Sequence, residues 1–74
     1  MTYHITISSS GYTLTVRADG PESAAGIAVR RLYGRAVTAQ RVTGDTGKSG
    51  IFAAYRYDRR LSAACRIGSD LHVA

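Results

Sequence analysis

At 74 residues the chain makes one domain (1–74), and folding at this size buries roughly 60% of the unfolded surface, so the core is small and the stability margin thin. A composition of 45% apolar and 20% charged residues excludes a disordered chain, while eleven alanines, one phenylalanine and no tryptophan leave no volume for a deep substrate pocket. Ten basic residues, nine of them arginine, against five acidic give +5, a field suited to nucleic acid or to an acidic protein surface.

The chain opens with two alternating segments. In residues 3–8, Tyr3, Ile5 and Ile7 share one face. In residues 12–17, Tyr12, Leu14 and Val16 do the same, opposite Thr13, Thr15 and Arg17. Period-two alternation around Ser9-Ser10-Gly11 predicts a β-hairpin. Asp19-Gly20-Pro21-Glu22 then starts a helix, with proline at the first helical position and a carboxylate at the positive end of the macrodipole. Ala25, Ala28, Val29 and Leu32 follow at helical spacing as the buried stripe, and Ile27 falls away from it as a candidate exposed apolar contact. Arg30, Arg31 and Arg35 gather at the favourable end, and Gly34 supplies the cap.

Residues 36–43 predict a third strand, the glycine-rich 44–50 a loop, and 51–57 a fourth strand with Phe52 and Ala54 toward the helix. A turn at Asp58-Arg59-Arg60 leads to a fifth strand over 61–67. A turn at Gly68-Ser69-Asp70 leads to a short sixth, Leu71-His72-Val73, at the sheet edge. The order β-β-α-β-β-β predicts an α+β fold, an antiparallel sheet of five to six strands with one helix packed on one face. One helix cannot cover both faces, so Ile51, Ala53, Tyr55 and Tyr57 line a face that is either open or covered by loops.

Several chemistries fail on spacing. Gly44-Asp45-Thr46-Gly47-Lys48-Ser49 imitates a phosphate loop, but Val42 occupies the place of the first glycine and a strand follows instead of a helix. His4, Cys65 and His72 lack metal-ligand spacing, Cys65 reads as a small buried hydrophobe, and the turn aspartates serve the backbone. The expectation is a non-enzyme with no catalytic residue, no metal and no cofactor. The start Met-Thr-Tyr-His-Ile is unlike a signal peptide and no apolar run spans a membrane, so the expected setting is the cytoplasm, as monomer or homodimer and away from membranes. A single cysteine fits a reducing compartment.

What remains is recognition. By segment the charge is 0 over residues 1–20, +2 over 21–45 and +3 over 46–74. The candidate partner-binding residues are Arg30 and Arg31 on the helix, Arg41 and Lys48 around the glycine-rich loop, and Tyr55, Arg56, Tyr57, Arg59 and Arg60 after it. Arginine favours planar bidentate contacts, and tyrosine anchors interfaces or stacks on bases.

The segment 41–55 has a second significance. Arg41, Thr43, Gly44, Ser49, Gly50, Phe52, Ala54 and Tyr55 match R-x-T-G-x4-S-G-x-F-x-A-Y, and the segment resembles a small phage-encoded type I-E anti-CRISPR family with that motif. The family also has an alanine-rich helix upstream and a G-x-x-F-H-V tail, set here against Gly68-Ser69-Asp70-Leu71-His72-Val73, with leucine in place of the aromatic. The connection between Tyr55 and Gly68 differs in length and content. The resemblance implies a non-enzymatic inhibitor that binds the RNA-guided surveillance complex of a type I CRISPR–Cas system in a bacterial host and blocks target-DNA binding. At +5 such an inhibitor does not imitate DNA; it needs an acidic patch on a Cas subunit or the nucleic-acid backbone. The runner-up is a small basic nucleic-acid-binding module using an Arg/Tyr sheet face.

Overall fold

The computed structural model describes residues 1–43 and 49–74, with the backbone alone at 43. The chain forms β1 (Thr2–Ile7), β2 (Thr13–Arg17), α1 (Pro21–Tyr33), β3 (Val37–Thr43), β4 (Gly50–Asp58) and β5 (Ala63–Val73). The fold is α+β: one antiparallel five-stranded sheet in the order β2-β1-β5-β4-β3, with α1 across one face.

The alternation seen in the sequence sets the two faces of the sheet. Tyr3 pairs with Val16 and Ile5 with Leu14, placing apolar side chains under the helix and the intervening threonines away from it. The core joins Ala24, Ala25, Ala28 and Val29 of α1 to Ile5, Val16, Val37, Phe52, Leu71 and Val73. Alanines on the buried helix face let α1 lie close to the sheet, and Phe52 and Tyr3 supply the large rings of the core. Among the described residues no charged or polar side chain is buried.

Helix α1 starts at Pro21 after an extended Gly20, with no side-chain cap, and the Gly34 N–H closes it on the Arg30 carbonyl at 3.0 Å. Gly34 has φ 103° and ψ 176°, a conformation outside the left-handed helical well but one that still favours glycine. Two expectations about the stripe are corrected. Leu32 is 36% exposed, because the burying contact ends with Val29 and Tyr33 takes over at the last turn. Ile27 is partly buried against the core, because a helix seated this close on its alanines has its flank covered as well. Tyr12, on the same alternation face as Leu14 and Val16, is 58% exposed; it belongs to the β1–β2 turn, where its carbonyl accepts the Ile7 N–H at 2.8 Å.

The largest correction concerns the end of the chain. The segments expected as a fifth and a sixth strand are one strand, β5. Phe52 pairs with Leu71 and Ala54 with Ile67, so β5 advances four residues while β4 advances two. Gly68-Ser69-Asp70 is therefore a bulge opposite Ala53, not a turn. Residues 71–73 lie between β1 and β4, at the centre of the sheet rather than at its edge. Gly68 takes φ 65°, and a Cβ there would collide with the Tyr33 hydroxyl. Gly68→Ala is expected to cost about 1–3 kcal/mol, the left-handed conformation and the displaced tyrosine adding together. A urea melt in which the variant matches the parent within experimental error would refute this account of the bulge. Ser69 Oγ donates to Ser9 Oγ at 3.0 Å and accepts the Ser9 N–H at 3.1 Å, pinning the first hairpin turn onto the bulge.

Candidate protein-binding surface

The face away from α1 is open. On β1 and β2 it presents exposed Thr2, His4, Thr13 and Thr15. On β4 and β5 it presents Tyr55 opposite Arg66 and Tyr57 opposite Ala64. Tyr55 is half-buried and Tyr57 is 60% exposed. Ala53, on the same face, is fully buried opposite the bulge.

The candidate residues do not form one patch. Arg41 sits at one end of β3, on the helix side. Its Nε donates to Glu22 Oε1 at 3.1 Å, Nη2 pairs with the same carboxylate, and Nη1 donates to the Ser49 carbonyl at 3.1 Å. The guanidinium lies 4.8 Å from the Phe52 ring centroid, and a Cβ on Gly50 would strike it. The Arg41, Ser49, Gly50 and Phe52 positions of the motif thus form one folding unit, in which arginine ties the helix start to β3 and β4. The Glu22 carboxylate is 65% exposed, so that pair alone contributes at most about 1 kcal/mol; the ring contact and the carbonyl bond add similar amounts. Gly50→Ala is expected to cost about 1–2 kcal/mol by displacing the guanidinium from these partners. Arg41→Ala should abolish most of that cost in the double variant, a coupling readable from a double-mutant cycle; strictly additive losses would contradict the unit.

Six residues along β4, roughly 20 Å away at 3.3 Å per residue, the second group gathers at the far end of the β4–β5 hairpin. Arg59 and Arg60 are exposed in its turn. The turn is held by Asp58, whose Oδ1 accepts the Arg60 N–H at 2.9 Å, and by Ser62 at φ 51°. Asp70 pairs with Arg66. Both carboxylates of the hairpin are thereby engaged, while the guanidinium groups of Arg59 and Arg60 meet no carboxylate among the described residues. Arg56 points to the helix side, where Nη2 donates to the Tyr33 carbonyl at 3.4 Å, a cation at the negative end of the helix dipole. Arg30 and Arg31 are exposed in that same last helical turn.

The structure therefore brings Tyr57, Arg59 and Arg60 together at the hairpin tip, with Tyr55 on the open face. It places Arg56, Arg30 and Arg31 around the helix end and sets Arg41 apart as a clamp. Lys48 lies outside the described residues, as do Asp45 and most of the phosphate-loop imitation; β4 follows that segment directly. Beneath the hairpin, on the helix side, a cavity of about 340 Å³ is lined by Arg56, Tyr57, Asp58, Cys65 and Ile67. Cys65, expected to be buried, is half-exposed on its wall because α1 ends before reaching it.

No three histidine, cysteine, aspartate or glutamate side chains are grouped to hold a metal among the described residues. No described helix is long and apolar enough to cross a membrane. What the arrangement offers is a basic, aromatic-edged projection. The backbone edge of β5 beside it had no signal in the composition, because an unpaired strand edge is a property of the neighbours. No protein-family model and no curated protein matches the chain.

Proposed function

We propose that this chain is an anti-CRISPR protein, a non-enzymatic inhibitor that binds a type I surveillance complex and blocks its binding of target DNA. The observation that carries this reading is the projecting β4–β5 hairpin, whose exposed Arg59 and Arg60 lack carboxylate partners among the described residues beside a 60% exposed Tyr57. Arginine and tyrosine are the side chains that dominate protein interfaces energetically. The motif resemblance over 41–55 supplies the class of partner. The two lines are separate, because the Arg41 unit holds the fold and the hairpin is left for contact. Binding is to an acidic patch on a Cas subunit, since a chain at +5 repels the cations that DNA-binding grooves present. The test is a pull-down with purified type I complexes, with and without target DNA. Capture that excludes DNA is the expected result; no capture across the subtypes would refute the proposal.

One observation favours a second reading. Tyr55 stands opposite Arg66 on the open face, two residues from Tyr57, an arrangement on which single-stranded bases stack. A nucleic-acid module would shift an oligonucleotide at low salt and release it steeply as salt rises.

A further inference from the structure

The pattern of backbone bonding reveals an unused edge inside the sheet. His4 and Ala74 exchange both backbone hydrogen bonds, at 2.8 and 2.9 Å, and the Ser8 N–H donates to the Asp70 carbonyl at 2.9 Å. In an antiparallel ladder such pairs alternate. Residues 70, 72 and 74 of the C-terminal segment therefore face β1, while Leu71 and Val73 face β4. Carrying the alternation across the bulge through the Ala54–Ile67, Arg56–Cys65 and Asp58–Ala63 pairs, the backbone groups of Ala64 and Arg66 point away from β4. β1 does not reach them; its pairing with β5 ends at Leu71, and its turn ends at Ser69. Ala64 and Arg66 are exposed, and no described group bonds their outward N–H and C=O.

From this we infer that the edge of β5 over residues 63–67 receives an extended acidic segment of a partner protein as an added strand. The inference rests on the reading above only in taking the partner to be a protein. Three features single out this edge over the outer edges of β2 and β3. The end of β1 closes the notch on one side and limits the register of an incoming strand, and the span of five residues accepts a segment of roughly 17 Å. Alternate side chains of that segment would lie over the cavity walled by Cys65 and Ile67, which gives a peptide strand apolar contacts besides its backbone bonds. Arg59 and Arg60, which meet no carboxylate among the described residues, stand in the turn next to this edge and favour carboxylates on the incoming strand, whereas Arg66 is already paired with Asp70. A second copy of this chain brings another +5 and is disfavoured on the same ground.

The test is a titration of the ¹⁵N-labelled chain with acetyl-Glu-Val-Glu-Val-Thr-Glu-Val-amide at low salt, with the matching lysine peptide as control. The expected result is saturable shifts centred on residues 63–68, extending to the hairpin residues 56–60 that flank the cavity, and amide exchange at Ala64 and Arg66 slowed about tenfold or more. Ala64→Pro removes an outward donor without touching the β4 ladder and should abolish binding. Should proline disturb the hairpin by circular dichroism, Arg59→Glu/Arg60→Glu provides the independent variant, expected to weaken the peptide about tenfold or more. Unchanged exchange at Ala64 and Arg66, equal binding of the lysine peptide, or the same protection produced by an oligonucleotide would overturn the inference. So would protection that appears without peptide as the chain dimerises. Capture of a surveillance complex by a chain that ignores the peptide retains the proposed function and removes the edge. Peptide binding without capture of any complex does the reverse.

Discussion

Phe52→Ala is expected to destabilise the protein by about 3–5 kcal/mol, the usual cost of emptying a fully buried aromatic site. Phe52 is 1% exposed and packs among alanines and short aliphatic side chains. Neighbours that small cannot swing into the space it leaves, and Arg41 loses the ring it lies over. A chain of 74 residues has about 4–11 kcal/mol in total at 0.05–0.15 kcal/mol per residue. The variant should therefore be largely unfolded at 37 °C, or melt more than about 15 °C below the parent. Urea denaturation followed by circular dichroism measures this directly. Tyr57→Ala, at an exposed aromatic, should stay within about 0.5 kcal/mol of the parent. Equal losses at the two positions would mean that the core is not where it has been placed.

The second large effect concerns binding. Arg59→Glu/Arg60→Glu takes the net charge from +5 to +1, two charges lost per substitution, and touches no described side-chain contact. Arginine hot spots are worth about 2 kcal/mol or more each. Capture of a surveillance complex should therefore weaken by at least about thirtyfold while the melting temperature is unchanged. Arg41→Ala should behave in the opposite way, losing about 1–3 kcal/mol of stability and retaining capture at temperatures where it stays folded. Capture by the parent should weaken with added salt, because the hairpin charges are exposed. If Arg41→Ala instead abolishes capture with stability intact, the motif is the contact site and the hairpin is not.

The contrast between Arg41 and Arg59 shows where sequence reasoning stops. Both are arginines beside turn residues, and composition ranks them alike. Arg41 is a clamp because Val37–Thr43 pairs with Gly50–Asp58 so that Arg41 faces Phe52, and because α1 brings Glu22 above them. No local pattern contains that meeting of residues 22, 41 and 52. Gly68-Ser69-Asp70 is similar. Its composition is that of a turn, and the same glycine conformation serves a bulge; the choice depends on whether the flanking segments keep one partner strand, which β4 provides. Leu32 likewise continues the helical stripe, and only the extent of the sheet beneath decides that it is left half-uncovered.

Strand and helix periodicity, the proline start and glycine end of α1, and the surplus of arginine after residue 20 are local properties, determined by side-chain chemistry along the chain. They sufficed for the β-β-α-β-β-β order of an α+β fold and for the helix-facing set of Phe52 and Ala54. The tertiary structure alone decided that the basic residues divide into a clamp, a helix end and an exposed hairpin tip, and that residues 71–73 lie at the centre of the sheet. It also decided that Ala64 and Arg66 offer an open edge. The physical reason is common to all three: strand pairing joins residues far apart in sequence, so the partner of a charge or a backbone group is set by register, which composition does not carry. The thin, alanine-rich core and the +5 charge were visible at the outset, and folding gave that charge an address.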